Sequence, residues 1–186
     1  MSREAAGVWA ALKDDFRANA AGLPARPDTA TLVRAAARNV PTVRFAAVAL
    51  FRLSQAAGAH VGLLGSLLKQ LNHVLTGCDI AYQARIGPGL VLYHPTGVVV
   101  GPDCRIGARA KLMQGVTIGS DAVVVGDDAG GSPTIGDDVF VGPGAAVVGG
   151  IALGDRVRVG ANAVVLSSFG SDVVLVGAPA RVAAEH

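Results

Sequence analysis

From Ile80 onward the chain repeats itself every six residues. The units read Ile80-Ala-Tyr-Gln-Ala-Arg, Ile86-Gly-Pro-Gly-Leu-Val and Leu92-Tyr-His-Pro-Thr-Gly. After a slip of two residues they resume at Val100, Ile106, Leu112 and Ile118, and a second run starts at Ile135, Val141, Val147, Leu153 and Val159. A hexapeptide period of this kind is the signature of a parallel β-helix. In each unit one aliphatic residue points inward and stacks on its equivalents in neighbouring coils. The Gly, Ala or Asp that follows lies at a corner, where Gly tolerates backbone angles denied to other residues. Three units make a triangular coil of about 18 residues, and stacked coils satisfy one another's backbone groups. The predicted solenoid spans residues 78–168. It is interrupted by an inserted loop at 119–134 and followed by a tail at 169–186.

Residues 1–77 read as a small α-helical region. Val8, Leu12 and Phe16 fall on one face of a helix over Glu4–Ala20. Asp28 is placed to cap a helix running to Asn39. Pro41 sits near the start of a third helix that contains Val43, Val48, Leu50 and Leu53. A fourth runs from Gly62 to Leu75, with Gly77 as its stop. Val43–Leu53 is apolar but broken by Arg44 and Arg52, and is too short to span a bilayer.

Composition agrees with a core of stacked small residues. Apolar residues make up 51% of the chain and aromatics only 4%, and most of the 25 glycines lie within the repeat. The net charge of +2 divides unevenly, with the excess of Lys and Arg in the helical region and of Asp and Glu in the repeat. No basic run interleaved with aromatics appears, so nucleic-acid binding is not expected. Cys78 and Cys104 form no CxxC and are expected as buried free thiols in a reducing cytoplasm. No signal peptide is read at the N-terminus.

The stretches Gly77-Cys-Asp-Ile80, Ile86-Gly-Pro-Gly89, His94-Pro-Thr-Gly97-Val-Val-Val-Gly101, Gln114-Gly-Val-Thr-Ile-Gly119 and Gly177-Ala-Pro-Ala-Arg181 follow one another in order. In this the chain resembles the serine O-acetyltransferase family of hexapeptide-repeat acyltransferases, whose fold is a left-handed parallel β-helix. The resemblance is strong over 77–182 and weak over the helical part. It implies an acetyl-CoA-dependent O-acetyltransferase with no metal, in which His94 is the general base and Asp79 orients it. Such a pair is chemically sensible. A carboxylate near one ring nitrogen fixes the tautomer, and the other nitrogen takes the proton of an attacking hydroxyl. His60, His73 and His186 lie outside the repeat and are not expected to be catalytic.

The tail resembles the segment that lies along coenzyme A in the family, and Arg181 would face a phosphate. Gly115, Gly142, Ala145, Gly160 and Ala161 are small corner positions that would leave a groove for the pantetheine arm. The resemblance also implies a homotrimer with each active site between two subunits.

Three positions depart from the family pattern. Tyr93 stands where the family usually has Asp. Gly131, Ser132 and Pro133 stand where it commonly has Arg-His-Pro. The family's Asp-Ile-His-Pro is here Asp79-Ile-Ala-Tyr82. Tyr93 and Ser132 are therefore candidate substrate-binding residues, with Asp121, Asp127 and Asp128 of the loop as further candidates. The acceptor is a small hydroxyl compound: serine, a serine-like amino acid, or a saccharide or specialised-metabolite intermediate. A γ-type carbonic anhydrase needs three histidines around zinc, and only His94 lies in the coils. A non-catalytic binding scaffold is the remaining alternative.

Overall fold

The computed structural model describes residues 3–20, 23–24, 27–39, 42–121 and 131–185. Four helices come first: α1 (Arg3–Asn19), α2 (Thr29–Asn39), α3 (Val43–Gly58) and α4 (Gly62–Thr76). Asp28 Oδ1 accepts the Thr31 N–H at 2.7 Å and so caps α2. The third helix starts later than Pro41, which lies outside the described residues. Thr42 caps it by accepting the Phe45 N–H. Gly77 ends α4 in the left-handed region at φ +71. The α3 and α4 backbones approach each other at Gly58 and Gly65, where a Cβ on Gly65 would come 2.6 Å from the Gly58 Cα. Phe16 of α1 meets Phe45 of α3 edge to face, with centroids 5.5 Å apart.

The repeat folds into three parallel ladders. The first face stacks β1 (Asp79–Ile80), β4 (Val99–Val100), β7 (Thr117–Gly119), β10 (Ala146–Val148) and β13 (Val164–Val165). The second stacks β2 (Arg85–Ile86), β5 (Arg105–Ile106), β8 (Thr134–Ile135) and β11 (Ala152–Leu153). The third stacks β3 (Val91–Leu92), β6 (Lys111–Leu112), β9 (Phe140–Val141), β12 (Arg158–Val159) and β14 (Val173–Val176). Each face has one strand per coil, as a six-residue period with three sides requires. The irregularities of the sequence become irregular coils. Asp79 pairs with Val99, Arg85 with Arg105 and Val91 with Lys111, so the first step absorbs the two-residue slip. Arg105 then pairs with Thr134 and Lys111 with Phe140, so the inserted loop is thrown out between β7 and β8.

The core holds two residues per hexapeptide. Besides Ile80, Ile86, Leu92, Val100, Ile106 and Leu112, the fifth position is buried in nine units: Ala84, Leu90, Cys104, Ala110, Val116, Val139, Ala145, Val157 and Ala163. Chain direction at the corners returns this side chain to the interior. Both cysteines occupy such core positions as free thiols, and burial pushes Cys78 up to about 12.

The two ends of the solenoid are closed differently. Neighbouring coils bond in both directions: Arg85 N–H donates to the Cys104 carbonyl and Val91 N–H to that of Ala110, while Arg109 N–H donates back to Pro88 O. On the helix side of the first coil, backbone groups with no coil beyond them are met by side chains. Gln55 donates to Ala84 O at 2.8 Å, Arg52 to Ile86 O at 2.8 Å and Gly87 O at 2.7 Å, and Asn19 to Leu90 O at 2.9 Å. At the far end β15 (Arg181–Glu185) turns back antiparallel along β14. Among the described residues no helix is long and apolar enough to cross a membrane.

Candidate active site

His94 stands on the edge between the third and first faces, in the enlarged corner Tyr93-His94-Pro95-Thr96-Gly97 that joins β3 to β4. The corner is held by its backbone. Tyr93 N–H donates to Leu112 O at 3.0 Å, Gly97 N–H to Gly77 O at 2.8 Å, and Thr96 O accepts Gly115 N–H at 3.1 Å. Pro95 is buried, and Gly97 has φ +73, which a Cβ would strain. The two extra residues thus push a fixed bulge outward. The His94 imidazole is exposed on it, with no hydrogen bond or ion pair to any described residue.

Asp79 lies on the first face, in register with Val99 of the strand that leaves this corner. The coil between them is longer than the regular repeat. Asp79 is therefore placed against the rung that His94 leads into. Its carboxylate is engaged by Lys69 of α4, with Nζ 2.6 Å from Oδ1, and it makes no bond to His94.

The edge that carries His94 continues as bare backbone. Gly97, Gly115 and Gly144 follow one another in left-handed conformation, and Asn162 takes the same place in the next coil. Gly115 and Ala161 are exposed along this strip. The tail docks at its end: Val164 N–H donates to Gly177 O at 3.0 Å, and Ala180 N–H to Val164 O at 2.7 Å, which leaves Arg181 exposed beside it. The structure therefore brings Gly115, Ala161 and Arg181 to one edge. Ala145 does not belong to it, since its methyl is fully buried in the core. Gly142 is buried and serves coil packing, because a Cβ there would come 2.8 Å from Ala161 N and Val159 O. Gly160 packs against β14, where a Cβ would meet Val176 Cγ1 at 3.1 Å.

The inserted loop leaves from the edge between the first and second faces, between β7 and β8. Asp121 closes its neck by accepting the Gly131 N–H at 3.1 Å. Asp127 and Asp128 lie outside the described residues, as does His186. Ser132 is half-buried and interacts with Cys104. Burial pushes the Cys104 thiol up, against the opposing effect of the Gly101 backbone and the Ser132 hydroxyl. Among the described residues no group of three or more His, Cys, Asp and Glu is placed to hold a metal ion.

Sequence reasoning missed two cations near the site. Lys69 gives no sequence signal for its pairing with Asp79. The other is Arg44 of α3, whose guanidinium lies 5.6 Å from the centroid of the Tyr93 ring. A signal existed for Arg44. It and Arg52 are the two charges that interrupt the apolar run of α3, and both reach toward the solenoid.

A three-sided solenoid of stacked six-residue units defines the class of hexapeptide-repeat proteins. Comparison with known proteins agrees: residues 97–128 match the family described as hexapeptide repeat of succinyl-transferase, and residues 132–167 match bacterial transferase hexapeptide (six repeats). The serine acetyltransferase of Synechococcus elongatus is 42% identical over 116 residues, which are 62% of this chain and 46% of that protein. Soybean serine acetyltransferase, solved as the apoenzyme, superposes with a TM-score of 0.80 at 30% identity, over 95% of this chain and 69% of that one. The Neisseria gonorrhoeae enzyme in complex with serine gives 0.78 at 28%, over 95% and 69%. The chain belongs to the serine acetyltransferase family, and its solenoid is the left-handed parallel β-helix of that family. It spans about half the length of the curated relatives it matches, from 46% to 65% for the first three.

Proposed function

We propose that this protein transfers the acetyl group of acetyl-CoA to a hydroxyl of a small acceptor, with His94 as general base. The observation that carries this reading is the exposed imidazole of His94, without a partner among the described residues, on a corner held by backbone hydrogen bonds. A neutral ring there accepts the acceptor's hydroxyl proton as its oxygen attacks the thioester carbonyl carbon. The carbon–sulfur bond then breaks, and the imidazolium returns the proton to the departing sulfur. Asp79 is the orienting carboxylate in this reading. It reaches His94 by exchanging its Lys69 partner for the ring N–H, which stabilises the imidazolium.

The exposed strip from Gly97 through Gly115 and Ala161 to Arg181 supports the donor site. Neighbouring rungs are about 4.8 Å apart, so the strip runs roughly 15–20 Å from the histidine corner to the tail. A thin acyl-carrying arm fits such a strip, and Arg181 at its end suits a phosphate.

The active assembly in this reading is a homotrimer, with each His94 edge completed by a neighbouring subunit. Leu63, Leu67, Val74 and Leu75 of α4 support self-association, since all four are more than half exposed on one short helix. The inserted loop leaves from the edge between the first and second faces, and in this reading a neighbour's loop would complete the His94 edge. The proposed compartment is the cytoplasm, where two free thiols stay reduced.

The test is thiol release from acetyl-CoA with a panel of amino acids, sugars and other hydroxyl compounds, comparing wild type with His94→Ala. Loss of general-base catalysis should lower turnover about 10²- to 10⁴-fold. Wild-type turnover in the variant would remove His94 from the mechanism and favour a binding scaffold.

A further inference from the structure

We infer that the groove between α1 and the second face of the solenoid is a further ligand site, and that it takes a small anion with an apolar body. The inference does not rest on acetyl transfer at His94, which stands on the edge between the third and first faces. The groove has a volume of about 640 Å³, within the range of sites that bury a small organic molecule. Val8 and Ala11 of α1 form one wall. Arg85 and Ile86 of β2 form the other, together with Arg105 and Ile106 of β5. Both isoleucines belong to the core, so the groove reaches the apolar interior. Arg52 and Gln55 also line it, but their donors are already committed to Asp15 and to the Ile86, Gly87 and Ala84 carbonyls.

The charge in this groove is unbalanced. Arg85 and Arg105 are partners on neighbouring strands, which lie about 4.8 Å apart. Like charges directly opposite each other destabilise a sheet. Among the described residues no carboxylate lines the groove, and neither arginine side chain has a hydrogen bond or ion pair. Two other arginines of the solenoid are each met by an acid of the next coil: Arg109 by Asp138 at 2.6 Å, and Arg156 by Asp172. Arg52, which also lines the groove, is met by Asp15 at 2.7 Å. Arg85 and Arg105 are therefore paired cations that lack a counter-charge among the described residues. Two guanidinium groups on successive rungs offer planar forks of N–H donors to one carboxylate or phosphate. The apolar part of such a ligand would lie against Val8 and Ala11. An uncharged ligand would leave the repulsion in place, and a cation would add to it.

Octanoate, octyl phosphate, 1-octanol and octylammonium share one apolar chain and differ in the charge of the headgroup. Their binding to the protein is measured by isothermal titration calorimetry, below the concentrations at which they self-associate. Octanoate or octyl phosphate should bind, and the tighter of the two names the headgroup. Octanol and octylammonium should bind at least about 10-fold more weakly. Acetate, which lacks the chain, should bind about 100-fold more weakly than octanoate. Arg85→Gln with Arg105→Gln should weaken the bound anion about 10- to 100-fold, since hydrogen bonds to a charged group are lost. The thermal midpoint of this double variant should not fall, because neither side chain holds another part of the fold. His94→Ala should leave the affinity unchanged. Equal affinity in wild type and the double variant would overturn the inference. So would octanol, octylammonium or acetate binding as tightly as octanoate, or no binding of either eight-carbon anion. Loss of binding in His94→Ala would place the anion on the His94 edge and overturn it as well.

Discussion

Replacing Asp15 with alanine should detach α1 from the solenoid. The Asp15 carboxylate is fully buried and accepts four hydrogen bonds: from Arg52 Nε at 2.7 Å and Nη2 at 3.3 Å, and from the Gly89 and Leu90 N–H groups at 2.8 Å each. The variant leaves Arg52, 2% exposed, without its counter-charge and strands two backbone donors. Breaking a buried pair by removing one partner costs about 3–5 kcal/mol, and the stranded donors are part of the same loss. At about 4 kcal/mol the docked-to-undocked ratio falls roughly a thousandfold. That is a large share of a typical total stability of about 5–15 kcal/mol. Trp9, the single tryptophan, lies on α1 and reports the event. Its fluorescence is followed against urea at fixed protein concentration, beside far-ultraviolet circular dichroism of the whole chain. The Trp9 transition should move to lower urea, ahead of the bulk transition. Asp14→Ala is the control, since Asp14 is half-exposed in a loose pair with Arg17 at 3.7 Å and should cost less than about 1 kcal/mol. Adding Arg52→Met to Asp15→Ala should recover part of the loss by removing the orphaned charge. If Asp15→Ala shifts the Trp9 midpoint no more than Asp14→Ala does, the network does not hold the helix.

Gly142→Ala should destabilise the solenoid by about 1–3 kcal/mol, because the new methyl meets backbone of the next coil. Denaturant titration checks it; a weakened response to acetyl-CoA with unchanged stability would return Gly142 to the donor site. Hydrogen bonding from Arg109 holds Asp138 below the usual carboxylate range. Its small contribution is therefore present above the unfolded value of about 3.9 and is lost as pH falls through the lower folded value. Thermal midpoints between pH 2 and 5 should fall less steeply in Asp138→Asn, and salt should shrink the difference because the pair is exposed. Native protein at pH 8 should leave both buried thiols unreacted with a disulfide reagent, whereas denatured protein should release two equivalents. Fast native reaction would contradict their placement in the core.

Much of the solenoid was legible because period and geometry are the same information. Ile80, Ile86 and Leu92 had to face inward once the chain turned three corners per coil, and the slip before Val100 had to enlarge one of them. Ala145 was misplaced as a groove residue because a small side chain at the fifth position reads equally well as a corner or as core. Gly142 and Gly160 were ambiguous for a related reason: glycine is needed where coils touch as well as where a ligand touches backbone. The links between helices and coils were not legible. Asp14 and Asp15 are identical neighbours in sequence, yet one is half-exposed and the other fully buried. Only the arrangement of α1 on the first coil distinguishes them. The claim of Lys69 on Asp79 likewise depends on the angle at which α4 meets β1.

A stack of identical coils has no internal reason to stop. Each rung offers the next the template on which it was itself laid down. Here the count is set from outside the repeat. Gln55, Arg52 and Asn19 occupy the carbonyls that an earlier coil would use, and β15 reverses direction across the rung that a later coil would join. The helices thus act as a terminus as much as a domain. A chain cut back to residue 78 would expose a hydrogen-bonding end of the kind through which unprotected strands recruit one another, and its expected fate is end-to-end growth into filaments.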